Sequence, residues 1–179
     1  MTARRQSFVA FLGALLVATA SPASAQSCTA PRLDVANWAL VRSASVPGFT
    51  LRLPRAFARD STTSVGVTLM KKPTAWWTDA SRGRLGLIRS AGDSASRSVL
   101  ASAGGRSGYL RCEERVGSAV AIIVHYDTTA TGSTEGPFVV HARIRWPDGE
   151  ELDVRGDAPD RERLAQLLTA VRTIRRSGA

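Results

Sequence analysis

The chain has 179 residues, a formal charge of +9 and 44% hydrophobic residues, a size and composition that fit one domain with a real core. Its basic excess comes as scattered single arginines, with Lys71 and Lys72 the only lysines, rather than as one helix face interleaved with aromatics, which speaks against nucleic acid as a partner. Two cysteines without a CxxC spacing are a poor basis for a zinc or redox site.

The first 25 residues read as a cleavable export signal. Arg4 and Arg5 form a basic start, Phe8 to Ala20 an apolar run, and Ala23-Ser24-Ala25 an A-x-A cleavage site. The run is shorter than the roughly 20 residues that span a bilayer, and Gln26-Ser27 before Cys28 does not fit a lipidation site. The expected division is a signal peptide over 1–25 and a single exported domain over 26–179, periplasmic or secreted, with no transmembrane segment in the mature chain. The mature chain keeps 154 residues and a charge of +7 once Arg4 and Arg5 are removed with the signal. In an oxidising compartment Cys28 and Cys112 are expected to form a structural disulfide.

Phe49-Thr50-Leu51-Arg52-Leu53 alternates apolar and polar residues, the mark of a half-buried strand, and Pro54 ends it. Val65, Val67 and Leu69 repeat that period until Lys71-Lys72-Pro73 stops it. Trp76-Trp77-Thr78-Asp79 reads as an aromatic turn region. Weaker strands are expected over Arg84 to Ile88 and Ser98 to Ala101, and a further one over Tyr109 to Arg115. Ala119 to Asp127 carries Val120, Ile122, Val124 and Tyr126 on one face, and Phe138 to Trp146 carries Val140, Ala142 and Ile144 in the same way. The polar segment 128–137 between them is too long for a tight turn. Asp148-Gly149 is a turn signal before Leu152 and Val154. Three consecutive antiparallel strands account for this stretch.

The last element is a helix. Asp157 is a candidate N-cap, Pro159 suits the first turn, and Asp160 and Glu162 favour the positive end of its dipole. Leu164, Leu167, Leu168, Val171 and Ile174 form one apolar stripe, predicted to pack on the sheet. The predicted fold class is α+β: an antiparallel β-sheet covered on one face by a C-terminal helix, with an α/β/α sandwich as its fuller form.

The strand Phe49 to Leu53 followed by Pro54 and Phe57, the pair Trp76-Trp77 before the next strand, and the closing Val171-Arg172-Thr173-Ile174-Arg175 together give an order that resembles the PsbP-like superfamily. The likeness runs from about Trp38 to Arg176 and lies in pattern, without a diagnostic motif. The first covering helix of that pattern has no obvious counterpart here. The resemblance implies a small sandwich domain and a binding or assembly role without catalysis; it identifies no ligand.

Candidate site residues are few. If Val120, Ile122 and Val124 share a face with Val140, Ala142 and Ile144, then His125, Asp127 and His141 project together from the opposite face. Imidazoles beside a carboxylate suit a metal or acid–base work. Arg143 and Arg145 on that face would repel a cation, so ordinary surface histidines are the plainer reading. Trp76 and Trp77 could stack on a sugar or a lipid headgroup, although paired tryptophans beside a strand are more often core. Glu113 and Glu114 are adjacent in a strand and so point to opposite faces. Arg155-Gly156-Asp157 spells an adhesion tripeptide at what reads as a strand–helix junction. No serine-hydrolase elbow, P-loop or dinucleotide fingerprint is present in the sequence. The expectation is an exported, non-catalytic binding or assembly module without a cofactor, meeting an anionic envelope component or another envelope protein. The alternative is a metal-assisted hydrolase using His125, Asp127 and His141.

Overall fold

A computed structural model describes residues 32–60, 74–89, 100–101, 108–128 and 137–177. The expected signal segment, Cys28, the segment of Val65 to Leu69 and most of 128–137 lie outside them. Besides the helical Leu100 and Ala101, ten strands and one α-helix are traced from end to end among the described residues. They are β1 (Ala39–Arg42), β2 (Phe49–Leu53), β3 (Ala58–Arg59), β4 (Thr74–Thr78), β5 (Arg84–Arg89), β6 (Tyr109–Val116), β7 (Ala119–Asp127), β8 (Phe138–Arg145), β9 (Glu151–Ala158), α1 (Arg161–Arg172) and β10 (Arg175–Arg176).

Seven strands form one antiparallel sheet in the order β3-β4-β5-β9-β8-β7-β6. The three successive antiparallel strands expected from Ala119 onward are its β7, β8 and β9. Gly149, at φ +87°, closes the turn between β8 and β9, where its N–H donates to the Trp146 carbonyl. A second sheet of three strands, β1-β2-β10, joins the two ends of the described chain.

The core lies between the large sheet on one side and β2 with α1 on the other. Leu85, Leu87, Ile123, Val140, Ala142, Ile144, Leu152 and Val154 meet Phe49, Leu51 and Leu53 of β2 and Leu167, Leu168 and Val171 of α1 in one cluster. Each fully buried Val, Leu, Ile or Phe among them contributes about 1.5–3 kcal/mol. Gly156 lets α1 approach β9 closely, since a Cβ there would sit 2.9 Å from Leu167 Cδ1. Part of the far face of the large sheet is buried as well. There Leu100 packs with Val124, Tyr126 and Val139.

The expected fold class is corrected by this architecture. Strand takes 52% of the described residues and helix 14%, with a single α-helix, so the domain is mostly β and is not a helix-covered sandwich. The reason lies in β2. Its alternating apolar face needs burial, and it obtains this by pairing with β1 and β10 into a second sheet that shares the core with α1.

Three local expectations change too. Trp76 and Trp77 lie within β4 rather than in a turn. Leu100 and Ala101 are helical, not extended. The helix is capped by Asp160, whose side chain accepts from the Arg163 N–H at 2.7 Å; Asp157 sits in β9 opposite Arg84. Pro159 therefore precedes the cap instead of occupying the first turn.

Candidate functional site

The register of β7 on β8 decides which side chains meet. Val124 lies opposite His141, and His125 opposite Val140. Val140 belongs to the core between α1 and the sheet, while Val124 belongs to the far-face cluster. His125 and His141 therefore lie on opposite faces of the large sheet, and the expected cluster of both with Asp127 is not formed. Asp127, two residues along β7, stays on His125's side, opposite Phe138.

His125 and Asp127 open into a pocket of about 310 Å³ on the α1 side. Leu110 of β6, Phe138 of β8 and Leu164, Ala165 and Leu168 of α1 supply its apolar lining. Arg161, in the first turn of α1, lines it together with His125, Tyr126 and Asp127. Residues 161, 164, 165 and 168 fall on one helical face, which overhangs the ends of β6 and β7. Leu110 is 55% exposed, an apolar side chain left beside the opening. Burial, and then the charge of Arg172, lower the His125 pKa below its ordinary value, which favours the neutral imidazole. Asp127 is already engaged within the chain.

His141 sits in a different environment. Its ring lies parallel to Tyr126, with centroids 6.0 Å apart, and Tyr126 stacks in turn on Tyr109 at 4.4 Å. Tyr126 Oη is 3.5 Å from His141 Nε2. Burial lowers the His141 pKa, against the opposing pull of Asp157 and Asp153. Next to it, Arg143 makes a two-pronged pair with Asp153, at 2.7 and 3.1 Å. The arginine that was expected to repel a cation is thus held by a buried carboxylate.

The two tryptophans are separated by the sheet. Trp77 joins the core, whereas Trp76 covers Gly86 on the far face with the Arg84 guanidinium 5.1 Å from its ring centroid. Both are under 8% exposed, so neither offers a stacking surface. Glu113 and Glu114 do point to opposite faces: Glu114 pairs with Arg172 at 2.7 Å, and Glu113 is exposed. Arg155 and Asp157 of the adhesion-like tripeptide are both half-buried on β9. Cys112 is buried on the core-facing side of β6, with its sulfur 3.6 Å from the Ile123 carbonyl oxygen.

Among the described residues no group of three or more His, Cys, Asp or Glu side chains is placed to hold a metal ion. No described helix is long and apolar enough to cross a membrane. Arg161, Leu164 and Leu168 were legible in the sequence only as part of a helix. Their role in the pocket depends on α1 reaching past the sheet, which no local pattern encodes. Neither a protein-family model nor a curated protein matches this sequence.

Proposed function

We propose that the chain is an exported binding module of the cell envelope, without catalysis, and that the pocket under the first turns of α1 receives its ligand. The observation that carries this reading is the pocket's lining. Five apolar side chains surround a space of about 310 Å³, and His125, Asp127 and Arg161 supply its polar edge. Ligand pockets run from about 300 to 1,000 Å³ and share this mixture of apolar wall and few polar groups. A small ligand with an apolar body and one polar or anionic group suits the lining. Arg161 and the neutral imidazole of His125 can both donate to such a group.

The arrangement offers little for covalent chemistry. Tyr126 turns its ring to the far face, and among the described residues the pocket lining contains no serine, threonine or cysteine beside His125. The hydrolase alternative loses its third ligand, because His141 is on the other side of the sheet and a catalytic zinc site uses three protein ligands. The basic charge and the signal-like first 25 residues support an envelope setting.

Titration with 1-anilinonaphthalene-8-sulfonate, an apolar ring system with one anionic group, tests the pocket. The expected outcome is saturable binding to the folded protein at one site. In Ala165→Trp, which fills the space from α1, affinity should fall by about tenfold or more with unchanged circular dichroism. Binding that does not saturate, or that ignores the substitution, overturns the assignment.

A further inference from the structure

We propose that two copies of this chain pair edge to edge through β6, antiparallel about a two-fold axis beside Cys112, so that the two large sheets become continuous. The pocket reading neither requires this nor depends on it. β6 is the terminal strand of the large sheet, eight residues long, and among the described residues it pairs with β7 alone. The opposite edge is the two-residue β3, too short to recruit a strand. A long open edge is a template for another chain, and proteins blunt it with charged side chains, proline, bulges or cover. Tyr109–Val116 contains no proline and no bulge, since all eight residues pair with β7 in one unbroken register; of those devices it carries only charges, at Arg111, Glu113, Glu114 and Arg115.

Its charges instead match a second copy of itself. Arg111, Glu113 and Arg115 share the far face of the sheet and are exposed, in alternating sign. With the axis beside Cys112, Arg111 falls opposite the partner's Glu113, and Glu113 opposite the partner's Arg111. Tyr109 falls opposite the partner's Arg115, an aromatic ring facing a guanidinium. On the other face the exposed Leu110 falls opposite the partner's Glu114. Opposite charges across a strand pair attract and like charges repel, so register matters. Centring the pair on Arg111 or on Glu113 sets two like charges against each other. Centring it on Glu114 shortens the ladder and brings the two Glu114 carboxylates together. Only the Cys112-centred register joins full length to matched sign.

Sedimentation equilibrium of the protein across a micromolar to millimolar range tests the pairing, alongside Glu113→Arg, Arg111→Glu and the double exchange. Glu113→Arg is the cleaner single variant, because Arg111 also donates to the Leu100 carbonyl at 3.3 Å. Each reversal creates two like-charge contacts per dimer and should weaken dimerisation by about tenfold or more, while the exchange restores it to within roughly threefold. Circular dichroism of each variant confirms folding. A monomer at every concentration, or a dimer indifferent to Glu113→Arg, overturns the proposal. So does a double exchange that stays as weak as either single variant.

Discussion

Asp153 accepts both prongs of Arg143 on the far face of the large sheet, where the two side chains are 3% and 9% exposed. A buried arginine keeps its charge, so its stability depends on the carboxylate beside it. Asp153→Ala should cost about 3–5 kcal/mol in urea denaturation, the usual penalty for leaving one member of a buried pair alone. Replacing both with Arg143→Met and Asp153→Leu should cost far less, because no uncompensated charge remains. Glu151, with Oε2 3.8 Å from Arg143 Nε, offers that guanidinium a second carboxylate and sets the lower end of the range. The site residues were legible to the same degree as their faces. His125 and Asp127 stayed together because residues two apart in a strand share a side. His141 parted from them because its placement depended on a register between strands.

That register was hard to read for a reason seated in β7. Ala119, Ala121 and Ile123 face the α1 core, and Ile122, Val124 and Tyr126 face the other buried side. A strand buried on both faces shows apolar residues at every position, so alternation cannot name its inner side, and a shift of one residue exchanges the faces. β2, whose polar residues are half-exposed, was legible as a strand, but not its membership of a second sheet. The helix was legible almost throughout, because its stripe repeats over three turns. Both its ends were displaced: Asp157 and Asp160 both suit a cap and the length of β9 decides between them, while the chain leaves the helix after Arg172, so that Ile174 lies beyond it and Arg175 enters β10. Trp76 and Trp77 look like one aromatic feature in sequence and become two layers in the sheet. Gly86 is where β5 admits the far-side layer, since a Cβ would lie 2.7 Å from the Trp76 ring. Gly86→Ala should therefore destabilise by about 1–3 kcal/mol through overpacking, measured as a fall in the urea midpoint without a change in m-value.

For the whole molecule, the two histidines make stability depend on acidity. Both folded-state pKa values are lowered, chiefly by burial, so the unfolded chain binds protons more readily. Stability is therefore complete above the ordinary histidine pKa of about 6.5 and falls as pH drops through and below it. Urea midpoints should decline from about pH 7.5 to pH 5, and His141→Gln should flatten that slope. An equal slope in the variant would assign the effect to other groups. The C-terminal helix and the strand-rich C-terminal half were legible, because each rests on local pattern. The division into two sheets was not, since β2 finds β10 across most of the chain.

That distance has a consequence in time. Thr50 and Arg175 are paired across 125 positions, so the centre strand of the small sheet has only one neighbour until the far end of the chain exists. At about 5–20 residues per second, the usual pace of synthesis, β2 waits roughly 6–25 s for β10. For that interval the first-made sheet keeps one edge of β2 open, while the strands that share its core emerge one by one.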